Sequence, residues 1–388
     1  MLKNDDTSPR IAMVAGEPSG DLLGSRLIEG LRKRYPQARF FGIGGPKMQA
    51  AGFQSWFDQE RLAVRGLVEV VKHLPELFSM RSNLIRQIVA EKPHLYIGVD
   101  APDFNLGIEK RLRGHGIKTA HVVSPTVWAW RRGRIKTIRA AVSHMLVLLP
   151  FEEAIYREAG VPVTFIGHPL ADEIPETIDR VAMADYLRLK TDAPIITLLP
   201  GSRQSEVEQM AEPLIETAKL IHRKLPKAVF LAPFVTRQTR DRFEEKLYRL
   251  GANDLPFKLL FGHAHDALSA SDIAIATSGT VTLEAALLRC PMIVAYRVAP
   301  LSYAIAKRVI RVKYIGLPNI LADRWVVPEF IQDEMTPANL AQAALNLLQD
   351  TNVRLKVSEH FSAVHRLMRR DAADRAAEAL MPLIEGRA

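Results

Sequence analysis

The stretch Ile273–Arg297, IAIATSGTVTLEAALLRCPMIVAYR, holds the most suggestive chemistry in the 388-residue sequence. A small-residue loop of Ser278, Gly279 and Thr280 stands between an apolar run and an apolar helical segment whose single acid is Glu284. Backbone N–H groups at such a strand-to-helix turn favour a negatively charged ligand such as phosphate. A carboxylate one turn into the helix can accept hydrogen bonds from both hydroxyls of a ribose. The stretch LLPGSRQSEV, 198–207, has the same plan. A strand ends there in Gly201 and Ser202, and Arg203 opens a helix, so N–H groups and a guanidinium fork converge on an anion. Two neighbouring turns of this kind could grip one diphosphate.

A proton acceptor is offered by GVDAPDFN, 98–105. Asp100 follows an apolar strand directly, where parallel sheets carry their catalytic groups. Asp103 suits the N-cap of a helix starting near Phe104, which leaves Asp100 as the candidate general base. In SPTVWAWRRGRIK, 124–136, Trp128 and Arg131 belong to a mixed aromatic and basic loop. It could stack bases, meet a lipid interface, bind an acceptor phosphate, or simply bury its tryptophans. In LVEVVKHLPELFSM, 67–80, Val68, Val71, Leu74 and Phe78 fall on a broad apolar helical arc. That arc is either a core face or a surface for acyl chains and a membrane. Ala306–Tyr314 mixes apolar and basic residues and suits anionic lipid. His263 and His265 form a poor metal pair, with no acidic cluster or cysteine to join them. His168 is a candidate substrate contact. No D-x-D occurs, so a sugar-nucleotide enzyme of this design would neutralise its diphosphate with Arg and N–H groups rather than a chelated cation.

These stretches need strands to end where they begin, and the sequence supplies them. After strand 10–15 comes the glycine-rich turn AGEPSGDLLG, with Ser19 and Gly20 at its centre. Further strands read at 38–41, 95–99, 118–123, 144–149 and 163–166, with helical segments between. The second half repeats the plan at 195–199, 229–232, 257–260, 273–276 and 292–295. Alternation of this kind specifies α/β architecture with parallel sheets and ligands at the strand C-termini. The second strand ends in glycines instead of an acid for an adenosine ribose, which argues against a dinucleotide dehydrogenase. The proline-interrupted stretch 167–175 reads as a linker. The expected organisation is an acceptor-binding domain over 1–170, a nucleotide-binding domain over 171–350, and helices over 351–388 that pack on an N-terminal domain.

Composition sets the outer bounds. Hydrophobic residues at 48% and charged residues at 24% describe a globular protein with full cores. No apolar run reaches bilayer length, and the longest, Met145–Phe151, fits one buried strand. The polar N-terminus is unlike a signal peptide, and the single Cys290 suits a reducing cytoplasm. A net charge of +9 favours polyanionic partners: nucleic acid, anionic lipid or phosphorylated substrates.

The motifs, taken in order, resemble the lipid A disaccharide synthases, a family of bacterial glycosyltransferases. The resemblance rests on AGEPSGDLLG (15–24), GIGGPKM (42–48), GVDAPDFN (98–105), VSPTVWAWR (123–131) and FIGHPLAD (165–172) in the first half. In the second half it rests on LPGSRQSEV (199–207), ATSGTVTLEAAL (276–287), PMIVAYR (291–297) and LPNIL (317–321). Pro18 and Thr126 depart from the expected small residue or Ser without touching a proposed role. The resemblance implies two Rossmann-like domains of GT-B type. It implies transfer of 2,3-diacylglucosamine from its UDP derivative to 2,3-diacylglucosamine 1-phosphate, giving the lipid A disaccharide 1-phosphate and UDP. It further implies inversion, with Asp100 as base and Arg203 with the two loops on the departing UDP. Glu284 would hold the ribose and Asn319 would contact the donor. Ser19, Gly20, Trp128, Arg131 and the 67–80 stretch would fall on the acceptor and membrane side. No cofactor, metal or nucleic acid is implied. The expected location is the cytoplasmic face of the inner membrane, and a homodimer with exchanged C-terminal helices is one allowed arrangement. A UDP-N-acetylglucosamine 2-epimerase and another GT-B UDP-sugar transferase are the alternatives.

Overall fold

The computed structural model describes residues 8–59, 67–129, 133–309 and 312–387. The chain divides into two compact units, Met1–Asp172 with Met368–Ala388, and Glu173–Leu367.

In the first unit the strands are β1 (Arg10–Ala15), β2 (Arg39–Ile43), β3 (Phe53–Phe57), β4 (Leu95–Val99), β5 (Lys118–Val122), β6 (His144–Val147) and β7 (Val163–Phe165). Among the described residues they form one parallel sheet of order β3-β2-β1-β4-β5-β6-β7. Its central strands are apolar on both faces because helices cover both. Along β1, Ile11, Met13 and Ala15 join one core cluster while Ala12 and Val14 join the opposite one. Strand order reverses between β1 and β4, so the loops after these two strands part to opposite faces and leave a crevice.

In the second unit the strands are β8 (Ile195–Leu199), β9 (Val229–Phe234), β10 (Phe257–Phe261), β11 (Ile273–Thr277), β12 (Met292–Tyr296) and β13 (Glu329–Ile331), in the order β10-β9-β8-β11-β12-β13. Here the reversal falls between β8 and β11. The two loops expected from the sequence to meet an anion, at 201–203 and 278–280, follow these two strands.

Helix starts follow local chemistry. Proline occupies one of the first two helical positions of Pro18–Arg34, Pro46–Ala50, Pro102–Gly114 and Pro150–Glu158, where its missing N–H costs nothing. This corrects two local expectations. The helix after Asp100 begins at Pro102 with Ala101 as its N-cap, so Asp103 lies inside the first turn and pairs instead with Arg134. The apolar run Met145–Phe151 is not one strand, because Pro150 starts a helix. Two edge strands, β3 and β13, are mostly part-buried and lack an unbroken apolar run, so they do not stand out in the sequence.

The final helix, Ala372–Ile384, packs on Pro18–Arg34 and contributes Ala376, Ala377, Leu380, Leu383 and Ile384 to the first unit's core. Asp172 anchors its start by accepting from the backbone N–H groups of Arg370, Asp371 and Ala372 at 3.0, 3.0 and 2.7 Å. The helix before it, Thr351–Met368, falls mostly in the second unit.

Candidate active site

At the reversal point of the second unit lies a cavity of about 450 Å³. Gly201, Ser202 and Arg203 line it after β8, and Ser278, Gly279, Thr280 and Glu284 line it after β11. Thr277 Oγ1 donates to Leu199 O at 2.7 Å, which ties the ends of these strands together. Ser278 Oγ donates to Ile315 O at 2.8 Å, so its hydroxyl braces the loop. Gly201 holds φ +112, where a side chain would be strained.

Arg203 is exposed, its Nη1 3.6 Å from Glu206 Oε1. The Ser202 and Arg203 N–H groups both donate to Glu206 Oε2, at 3.0 and 3.2 Å. Glu206 is the third residue of the helix Gln204–Lys224 and closes a capping box onto these groups, a spacing visible in RQSE. Glu206 also acts on Tyr296, a further lining residue whose phenol is pushed up first by burial and then by this carboxylate.

Glu284 is half-buried and paired: His265 Nε2 lies 3.0 Å from its Oε2. That hydrogen bond, with the charge behind it, raises the His265 pKa against the opposing effect of burial. His263 meets Asp266 at 2.7 Å instead of a second histidine. Among the described residues no three His, Cys, Asp or Glu side chains form a metal-binding group. Asn319 is fully buried. Its Oδ1 accepts from Val326 N and Val327 N, and its Nδ2 donates to Val327 O and Glu329 Oε1. The amide's two donors and two acceptor sites are thereby all engaged within the fold.

In the first unit the crevice is bounded by the loop after β1 and by Asp100 after β4. Asp100 and Ala101 hold φ of +53 and +42, a costly conformation for residues with side chains. Asn105 sustains it: its Nδ2 donates to Asp100 O at 2.8 Å, and its Oδ1 accepts from the buried Tyr96 hydroxyl at 2.8 Å. Burial raises the Asp100 pKa; the Ala101 N–H opposes this, Glu17 adds to it, and His121 lowers it. Ser19 is exposed in the first helical turn, and Gly20 is buried so close to β4 that a Cβ would lie 3.4 Å from Val99 O. Asp21, in the first turn of the helix Pro18–Arg34, is buried and accepts from Lys47 N and Met48 N, locking that helix to the start of Pro46–Ala50.

Trp128 donates from Nε1 to Glu152 Oε1 at 3.1 Å and meets Phe151 edge-on at 5.2 Å. Glu152 is buried, and desolvation pushes it up to about 7 despite hydrogen bonds from Ser124, Leu149 and Trp128. Beside it, Ser124 Oγ and the Tyr156 hydroxyl are 2.8 Å apart. His168 lies at the boundary of the first unit, where its N–H donates to Met368 O at 2.9 Å. Arg131 lies outside the described residues. Val68, Val71, Leu74 and Phe78 belong to the helix Leu67–Glu91, but their side chains lie outside the description. Among the described residues no helix is long and apolar enough to cross a membrane.

Among solved structures, the UDP-GlcNAc 2-epimerase of Neisseria meningitidis is similar at a TM-score of 0.67 and 12% identity, covering 96% of this chain and 99% of that one. A putative UDP-N-acetylglucosamine 2-epimerase of Listeria monocytogenes is similar at 0.64 and 13%, covering 98% of both chains. Likenesses so distant in sequence show the fold, which is GT-B. Much nearer in sequence is the lipid-A-disaccharide synthase of Dechloromonas aromatica, 51% identical over 96% of this chain and 98% of its own. That of Chromobacterium violaceum is 51% identical over 96% of each chain. These relatives do not favour the epimerase alternative. A family model described as lipid-A-disaccharide synthetase matches residues 11–380, and with relatives at half identity over nearly their full length, the chain belongs to that family.

Proposed function

We propose that the protein joins UDP-2,3-diacylglucosamine to 2,3-diacylglucosamine 1-phosphate with inversion, releasing UDP. The observation that carries this reading is the coincidence of Arg203, the 278–280 loop and Glu284 around one cavity at the reversal point of the second sheet, in a chain of this family. Arg203 and the loop after β11 stabilise the diphosphate as it leaves, and Glu284 accepts from the ribose. The N–H groups of Ser202 and Arg203 join the diphosphate only by leaving Glu206. The acceptor 6-hydroxyl attacks the anomeric carbon as the bond to UDP breaks, and its proton passes to Asp100. Asn319 serves the donor site through the loop it braces.

The substrates' acyl chains place the reaction at a lipid surface. We assign the 67–80 arc and the basic segment 306–314 to contact with the cytoplasmic face of the inner membrane. Both substrates and the product are distinguishable by mass. Purified protein given the diacyl UDP donor and the monosaccharide phosphate is expected to form the tetraacyl disaccharide phosphate. Release of free sugar or epimerised UDP-sugar without disaccharide would refute the assignment.

A further inference from the structure

The edge strand β13 opens on Glu329, an acid only 7% exposed that no step proposed above uses. It stands in register with Val294 of β12, the strand beside β11 and its loop. Both of its carboxyl oxygens accept. Oε2 takes the N–H of Ile315 at 2.9 Å, while Oε1 takes the N–H of Gly316 at 2.9 Å and Asn319 Nδ2 at 2.8 Å. Gly316 leaves the room for this: a Cβ there would lie 3.2 Å from Glu329 Oε1 and 2.9 Å from Val294 Cγ2.

The backbone held in this way reaches the lining of the cavity directly. Ile315 is clamped at both ends, its N–H on Glu329 and its carbonyl on the Ser278 hydroxyl at 2.8 Å. Two residues on, Leu317 N–H donates to Thr282 Oγ1 at 3.1 Å, and that hydroxyl donates to Gly279 O at 2.8 Å. Ser278 and Gly279 both line the cavity, and Glu329 lies outside its lining. The strand β13 already keeps its place through its ladder to β12. A buried carboxyl is a costly way to add to that, since apolar packing would serve as well. With both oxygens satisfied, the group instead selects one arrangement of the segments it joins.

We infer that Glu329 is a positioning residue for the donor: it fixes the backbone of Ile315 and Gly316, and Ile315 in turn fixes Ser278 and the loop that meets the diphosphate. This rests on the reading of the cavity as the donor site.

Glu329→Gln keeps the size of the side chain but exchanges one acceptor oxygen for an NH2 donor, so one side of the clamp must open. The UDP dissociation constant, read by calorimetry, and the donor KM are expected to rise about tenfold with the acceptor KM unmoved. A merely structural acid would lower the thermal midpoint and leave UDP affinity where it was, and that outcome overturns the inference. Ser278→Ala tests the route. Combined with Glu329→Gln, it is expected to weaken UDP binding by less than the product of the two separate effects, because both act on Ile315. A full product would show that Glu329 does not work through Ser278, and overturns the inference too. Should Glu329→Gln not fold, hydrogen exchange in the wild type decides. UDP is expected to slow exchange at the Ile315 and Gly316 amides, since coupling between two sites is reciprocal, and unchanged exchange ends the proposal. A wild type that binds no UDP refutes the donor-site reading itself. A wild type that binds UDP beside unaffected variants refutes only the role of Glu329.

Discussion

His265 Nε2 lies 3.0 Å from Glu284 Oε2, so the carboxylate assigned to the ribose is one arm of an ion pair and not a solitary acid. His265→Gln is expected to raise the donor KM several-fold at acid pH, where the imidazole is charged and fixes the carboxylate. The hydrogen bond to Glu284 raises the His265 pKa in the folded protein. The stabilisation is therefore complete below the unfolded value of about 6.5 and disappears as pH rises through the higher folded value. Thermal unfolding and donor KM, measured for both proteins at acid and alkaline pH, should differ in acid and converge in alkali. A constant difference across pH would exclude the ion pair as the cause.

Replacing Asp100 by Asn keeps the side chain's size and removes the base. We expect kcat to fall by about 10²–10⁴ with UDP affinity unchanged. Because burial raises the wild-type pKa, activity should decline with acidity at a pH above the ordinary carboxylate range. Near-full kcat in Asp100→Asn would remove the residue from the mechanism.

Gly201→Ala tests the geometry of the turn after β8. Its φ of +112 disfavours a side chain, and the new Cβ would fall 2.5 Å from Glu206 Cβ. A loss of roughly 1–3 kcal/mol in unfolding free energy is expected from the backbone strain. The donor KM should rise with it as the turn shifts. Denaturant unfolding and donor titration read the two effects, and an unchanged KM would place the turn outside the donor site.

Glu152 gives a prediction for stability alone. Its folded-state pKa of about 7 lies above the ordinary carboxyl value of 4.5. The folded protein therefore holds a proton that the unfolded chain has released, and stability falls as pH rises from about 4.5 through 7. Glu152→Gln should abolish that decline and exceed the wild type well above pH 7 by on the order of 3 kcal/mol. Parallel curves for the two proteins would show that the decline has another source.

Gly30→Ala tests the packing of the last helix. A Cβ at position 30 would lie 2.4 Å from Ala373 O, a backbone atom that yields only if the helix moves. Overpacking of this kind costs typically about 1–3 kcal/mol. A drop in the thermal midpoint is expected with donor-site binding of UDP intact. A midpoint equal to that of the wild type would mean that the two helices separate easily.

Much of this organisation was legible in the sequence because parallel strands buried on both faces leave unbroken apolar runs. Strands such as Ile195–Leu199 and Ile273–Thr277 announce themselves, and the loops after them carry the glycines and hydroxyls proposed to meet the diphosphate. What stayed hidden depends on side chains meeting across long separations. FQSWF at β3 and EFI at β13 are edge strands, identified by their neighbours more than by their own pattern. Glu206 reads as one more surface acid until the helix start brings it onto two N–H groups. Glu109 and His121 are twelve residues apart on different elements, and only a glycine on a third element makes room for them. Asn319 reads equally well as a ligand contact or a loop brace. Its four internal hydrogen bonds become visible only once Val326, Val327 and Glu329 are placed around it.

The first unit is discontinuous in sequence, and this orders events during synthesis. Its opening helix presents Leu27, Ile28 and Leu31 to a core that also needs Leu380, Leu383 and Ile384. Those partners leave the ribosome after every strand of both sheets. The nascent chain therefore carries an open apolar seam until they emerge, and the second unit has all its strands before the first can close. Loss of residues from 377 onward would thus reopen the first unit and leave the second unit's strands intact.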